Sequence, residues 1–123
     1  MIYGIGIDIV RIERIREVTE KWGRKFLERV FTDGEISYCY QKKSPYLSLA
    51  VRFAAKEAFI KAIGSEVPVS LTDIEVVNVD TGQPFLKFKG KLKDFLNKTQ
   101  IKKPHLSLSH EHEYGVAFVV LEQ

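Results

Sequence analysis

Two carboxylates stand where carboxylates are costly. In GIGIDIV, Gly4 to Val10, side chains alternate along an extended chain. Ile5, Ile7 and Ile9 share one face, and Gly4, Gly6 and Asp8 share the other. Asp8 thus stands on a face stripped of neighbouring side chains, where something bulky can approach the backbone. In RFAAKEAFIKAIG, Arg52 to Gly64, a helical winding sets Arg52 with Lys56 on one stripe and Glu57 with Lys61 on another, roughly 140° apart. The second stripe runs among Ala50, Phe53, Ala54 and Ala58, largely small residues that let a backbone or a ligand come close. An uncompensated carboxylate in such surroundings has to be paired or bind a cation. Two of them suit a hard cation such as Mg²⁺, which takes one or two protein carboxylates and fills its octahedron with waters and substrate phosphates. Lysine and arginine beside it would serve those phosphates. Plainer uses stay open. Glu57 and Lys61 can form an i,i+4 ion pair worth about 0.3 kcal/mol if exposed, and Asp8 can cap a helix beginning near Val10.

Positioning these groups takes a mixed set of elements. A strand is expected over Ile2 to Ile9, then a helix through Val10, Ile15, Val18 and Trp22 that ends at Gly23. A short helix through Phe26, Leu27 and Val30 follows, and TDGE, Thr32 to Glu35, is a capping-box pattern opening another through Tyr40. After Ser44-Pro45 a long helix spans about Tyr46 to Ile63 and stops at Gly64. The period then changes. DIEVVNV (Asp73 to Val79) reads as a strand, DTGQP (Asp80 to Pro84) as a turn, and FLKFK (Phe85 to Lys89) as a return strand. A helix around Lys91 to Leu96 leads to a lysine-rich turn ending at Pro104, and HLSLS and YGVAFVVLE form a final hairpin. The expectation is one compact α+β domain over residues 1–123, with an antiparallel sheet packed on a long central helix.

Composition narrows the classes. At 123 residues, 45% hydrophobic and 28% charged, the chain suits one soluble globular domain rather than a disordered or fibrous protein. No segment is long enough to span a membrane and no signal-peptide pattern is present, so a cytoplasmic protein is expected. A lone cysteine, Cys39, allows no intrachain disulfide and reads as a packing residue. The net charge of +3 favours anionic partners without naming one.

Other constellations carry less. Position 9 is Ile9 where a dinucleotide fingerprint needs its third glycine. His110 and His112 have no nearby cysteine to complete a transition-metal site, and Ser107, Ser109 and His110 lack a G-x-S-x-G elbow. Arg11, Arg14, Arg16, Lys21, Arg24 and Lys25 cluster as on a nucleic-acid-binding module, yet acids are interspersed and no such motif is present. That alternative leaves Asp8 and Glu57 without a role. A metal-dependent phosphohydrolase would use them, with water as the acceptor.

Three segments in order, GIGIDIVRIERI, RFAAKEAFIKAIG and LSLSHEHEYGVAFVVLE, resemble the bacterial holo-[acyl-carrier-protein] synthases. These form the short, trimeric class of 4′-phosphopantetheinyl transferases, and the resemblance covers essentially the whole chain. It implies transfer of the phosphopantetheine arm of coenzyme A to a serine of apo acyl carrier protein, releasing adenosine 3′,5′-bisphosphate, in fatty acid biosynthesis. It further implies Asp8 and Glu57 as Mg²⁺ ligands, with the glycine-lined face of the first strand accommodating the metal and the diphosphate. Coenzyme A contacts would come from Arg52, Lys56, Lys61, Gly64, Gly82, Pro84 and His110. Glu57, Lys61 and His110 would take part in the chemistry, the serine proton passing to a water oriented by Glu57 or to His110. The acidic carrier would dock on Arg14, assisted by Arg11 and Arg24. A homotrimer with sites between subunits would bury one face of the apolar last strand, Val116 to Leu121. The chain departs from the family in a shortened loop, Gly64 to Leu71, in Gly115 where alanine is usual, and in Arg11 where glutamate is frequent.

Overall fold

The computed structural model describes all of residues 1–123. In chain order the elements are β1 (Ile2–Arg11), α1 (Ile12–Trp22), α2 (Arg24–Val30), α3 (Asp33–Tyr40) and α4 (Tyr46–Ile63). A 3₁₀ turn (Leu71–Asp73) precedes β2 (Ile74–Asn78), β3 (Pro84–Phe88), α5 (Gly90–Lys98), β4 (Lys103–Glu111) and β5 (Tyr114–Glu122). β1, β5 and β4 form an antiparallel sheet in that order, and β2 and β3 form a separate hairpin. The expected α+β architecture around a long central helix is the one observed.

What fills the bare face of β1 is helix α4 itself. A Cβ on Gly4 would lie 1.8 Å from the carbonyl oxygen of Ala62, and one on Gly6 would lie 1.8 Å from that of Ala58. These glycines let strand and helix meet backbone to backbone, with Ala58 fully buried and Ala62 nearly so between them. The expectation that this face accommodates a metal-held diphosphate is therefore corrected. Only its Asp8 end remains open to a ligand.

The same contact explains why α4 is apolar nearly all round. One side lies on β1 and β5, where Ala117, Val119 and Leu121 are fully buried, and α1 and α3 cover others. β1 runs two residues further than the sequence suggests, because Val10 and Arg11 pair with Gly115 and Tyr114 and Val10 is buried in the sheet. The first helix consequently starts at Ile12, capped by no side chain. Asp8 lies too early to cap it, which removes that plainer reading.

Thr32 and Glu35 form the expected capping box: the Glu35 amide donates to Thr32 Oγ1 (3.2 Å), and the Thr32 amide donates to Glu35 Oε1 (2.9 Å). Glu35 does more than cap. Its Oε1 also accepts from Lys56 Nζ at 2.6 Å, and its Oε2 accepts from the Val76 amide at 2.8 Å. Lys56 Nζ completes its three donations at the carbonyls of Val30 (2.7 Å) and Leu71 (3.0 Å). Both side chains have no solvent exposure. One buried ion pair thus ties α4 to the end of α2, the start of α3, the 3₁₀ turn and β2.

The other face of the main sheet is apolar and open. Ile5, Ile7 and Ile9 are 59%, 57% and 62% exposed, and Phe118 of β5 lies beside Ile7 at 41%.

Candidate active site

The second half of β1 and the last two turns of α4 bring Asp8, Glu57 and Lys61 together. Lys61 Nζ donates to Asp8 Oδ1 and to the Ile7 carbonyl, both at 3.0 Å. The ammonium thus reaches across to β1, and the alternative of an ion pair with Glu57 is not realised. Glu57 has no ion-pair or hydrogen-bonding partner. Burial first, and then the nearby charge of Asp8, push its carboxyl above the usual carboxylate range, with Lys61 opposing. Two carboxylates face one lysine, so the cluster is short of positive charge. No group of three or more His, Cys, Asp or Glu side chains gathers anywhere, so there is no all-protein metal cage. Two half-buried carboxylates are the donor set Mg²⁺ uses when phosphates and waters supply its other ligands. The residues fit such an ion.

A second constellation lies on the other side of α4. A cleft of about 770 Å³ is walled by Ser48 and Arg52 of α4, by the β2–β3 turn with Asn78, Gly82 and Pro84, and by β4 from Leu106 to His110. Gly82 holds φ at +86°, a left-handed conformation that favours glycine. Arg52 is nearly fully buried and pre-set. Its Nη1 donates to Ser48 Oγ at 2.7 Å, its Nη2 to Asn78 Oδ1, and its guanidinium stacks 4.4 Å from the Tyr38 ring centroid. Its Nε is buried with no partner. A planar guanidinium held over an aromatic ring, with a donor in reserve, suits a phosphate. Lys42, Lys43 and Ser44 edge the same cleft.

Of the residues expected to contact coenzyme A, Arg52, Gly82, Pro84 and His110 therefore share one cleft. Lys61 belongs to the carboxylate cluster instead, and Gly64 ends α4 one turn beyond it with φ at +104°. Lys56 is the correction. With three protein acceptors and no exposed surface, its ammonium supports the fold and has nothing left for a ligand. Asn78, Ser48, Tyr38 and the Lys42–Lys43 pair were missed. Only the lysines left a signal, as two adjacent cations just before Ser44-Pro45. Ser48 stands one helical turn before Arg52, while Tyr38 and Asn78 meet Arg52 across 14 and 26 residues, which no local pattern reveals.

On α1 and α2, Arg16 pairs with Glu13 and Glu20, and Arg24 pairs with Glu28. Arg14 and Arg11 are exposed and unpaired.

Residues 4–119 match the family model of the 4′-phosphopantetheinyl transferase superfamily. The chain belongs to this superfamily. Within it, a Halothermothrix orenii protein named holo-[acyl-carrier-protein] synthase is 46% identical, the match covering 100% of this chain and 99% of the relative. A holo-[acyl-carrier-protein] synthase structure from Neisseria meningitidis superposes with a TM-score of 0.92 at 38% identity, covering 100% of both chains. One from Bacillus anthracis, solved in complex with CoA (3′,5′-ADP), gives a TM-score of 0.80 at 40% identity, covering 100% of this chain and 98% of that one. The superfamily fold is thus shared from end to end, with both constellations inside the shared region.

Proposed function

We propose that this protein transfers the 4′-phosphopantetheine group of coenzyme A to a serine of apo acyl carrier protein, releasing adenosine 3′,5′-bisphosphate. The observation that carries the proposal is full-length similarity to holo-[acyl-carrier-protein] synthases, one of them holding the nucleotide of coenzyme A, in a chain that keeps both the carboxylate cluster and the basic cleft. Asp8 and Glu57 would hold Mg²⁺, which when bound neutralises charge on the diphosphate. The remaining work falls to positioning and charge. Arg52, Lys42 and Lys43 offer cations to the nucleotide phosphates, and the Gly82–Pro84 turn walls the nucleotide side. Lys61, anchored on Asp8, faces the diphosphate. The serine oxygen attacks the pantetheine-side phosphorus as the bond to the departing bisphosphate breaks. Glu57 orients the water that takes the serine proton, and His110 is the second candidate for that step. Incubation with coenzyme A, Mg²⁺ and an apo carrier, read by intact mass of the carrier, tests the reading. A gain of one phosphopantetheine is expected. Coenzyme A cleavage without that gain would make the protein a phosphohydrolase, and no reaction with retention of nucleic acid would make it a binding module. The ion pairs on Arg16 and Arg24 already weaken that last reading. No helix is long and apolar enough to cross a membrane. The reading places the enzyme in the cytoplasm, serving fatty acid biosynthesis.

The enzyme is proposed to work as a homotrimer with its sites between subunits. Arg52 and Glu57 point to opposite sides of α4, and the cleft contains none of Asp8, Glu57 and Lys61. One protomer therefore holds the two halves on different sides of the helix, and a site shared between subunits would bring a half from each together. The open row of Ile5, Ile7, Ile9 and Phe118 is a surface that a cyclic assembly would bury. On β5 this assigns the interface to Val116, Phe118 and Val120, since Ala117, Val119 and Leu121 face α4. Ile7→Asp is expected to yield inactive monomers by light scattering. An active monomer at micromolar concentration would overturn the assembly.

Carrier docking is assigned to Arg14, assisted by Arg11, while the Glu28 pair reduces the part left to Arg24. An exposed charge at an interface rim mostly sets association rate and its salt dependence. Arg14→Glu is expected to raise KM for the carrier by about tenfold at low salt and to flatten its salt dependence, with KM for coenzyme A little changed. Equal loss toward both substrates would move Arg14 into the coenzyme A site or the fold.

A further inference from the structure

The positive charge of this protein does not lie where the first helices suggest. Between Lys87 and Lys103 stand seven lysines (87, 89, 91, 93, 98, 102 and 103) against one acid, Asp94, a net of +6. The other 12 basic and 15 acidic side chains of the chain leave −3, which accounts for the overall +3. All seven lysines are exposed, and none takes part in an ion pair. They lie on consecutive elements: the end of β3, α5, and the start of β4.

This field adjoins the cleft. β3 begins at Pro84 and β4 reaches Leu106, both in the cleft wall, and the two strands pack alongside each other. Lys87 is three strand residues from Pro84, and Lys103 is three from Leu106, about 10 Å in each case at ~3.3 Å per residue. That is about one Debye length at physiological ionic strength. The patch offers charge and little else. Leu92 and Leu96 of α5 are buried, so no apolar face is left for a membrane, and the small groove that Lys87 and Lys89 border is also lined by Asp73 and Glu75, which disfavour an anion settling there. Unpaired, flexible ammonium groups beside a cleft raise the local concentration of anions and speed their entry, without adding much to the bound state.

We propose that the lysines of β3, α5 and early β4 form an electrostatic funnel that captures the polyphosphate donor and feeds it into the Arg52 cleft. This rests on the transferase reading, in which that donor is coenzyme A with its diphosphate and its 3′-phosphate.

The test is Lys91→Glu/Lys93→Glu/Lys98→Glu, which takes the 87–103 segment from +6 to zero on solvent-facing positions of α5. Association of coenzyme A is followed by stopped-flow at low and at high salt. The expected result is an association rate about tenfold lower at low salt, converging with wild type at high salt, with the dissociation rate and kcat unchanged. A matching Lys→Gln triple variant should fall between the two and guards against a folding defect. Equal association rates at low salt would overturn the funnel. So would a loss confined to KM for the carrier, which would give the surface to the acidic acceptor, or a loss confined to binding of duplex DNA. Absence of transfer by the wild-type protein would instead overturn the transferase reading.

Discussion

Glu57→Gln and Asp8→Asn should each lower the rate of carrier modification by roughly a thousandfold at ordinary Mg²⁺, about 4 kcal/mol of lost charge stabilisation. Both substitutions keep size and hydrogen-bonding capacity while removing the charge on which the proposed ion depends. Stability should move the other way for Glu57. Its carboxyl binds a proton more tightly in the folded chain than in the unfolded one, through burial and the charge of Asp8. Stability from this group is therefore fully present below the unfolded pKa and is lost as pH rises through the folded one. At neutral pH the metal-free wild type carries that cost, so Glu57→Gln should melt at the same temperature or higher while losing activity. In the wild type, activity should fall as pH drops through the raised Glu57 pKa, and extra Mg²⁺ should partly restore it. Near-wild-type turnover by either variant across a Mg²⁺ titration would remove both residues from the site.

Most of this architecture is legible locally. The strand alternation of Gly4 to Val10, the capping box at Thr32 and the stop at Gly64 each depend on neighbours within a few residues, and each appears as expected. What eluded the sequence depends on distance along the chain. Spacing shows that the glycine face of β1 must accept something close, and only the fold shows that it accepts α4. Helical winding correctly separates Arg52 from Glu57, yet it also pairs Arg52 with Lys56 as one basic stripe. Both point inward. Arg52 meets a cleft and Lys56 a closed interior, a difference made by Glu35, 21 residues earlier. The cleft is assembled from three segments, so its Asn78 and Tyr38 had no motif to announce them.

That buried pair yields the second large effect. Lys56→Met should cost about 3–5 kcal/mol, because it strands the Glu35 carboxylate in a closed interior and frees two carbonyls. Burial already pulls the Lys56 pKa down, and Glu35 holds it up, so the pair persists only while both members are charged and in contact. Lys56→Met/Glu35→Gln should recover much of the loss. An amide keeps an acceptor for the Thr32 or Val76 amide and leaves no unpaired charge, whereas two independent losses would simply add. The single variant should also gain stability relative to wild type as pH falls, since a stranded carboxylate is relieved by taking up a proton. Urea unfolding of wild type, Lys56→Met, Glu35→Gln and the double variant across pH measures all of this. A double variant as unstable as the two single changes summed would mean that the charges are not what couples these segments. In variants that remain folded, the Mg²⁺ dependence of transfer should match wild type, because Lys56 turns into the core and only Glu57, the next residue, faces Asp8. Neighbours in one helical motif would then divide the work, the lysine holding the helix to its surroundings and the glutamate meeting the ligand.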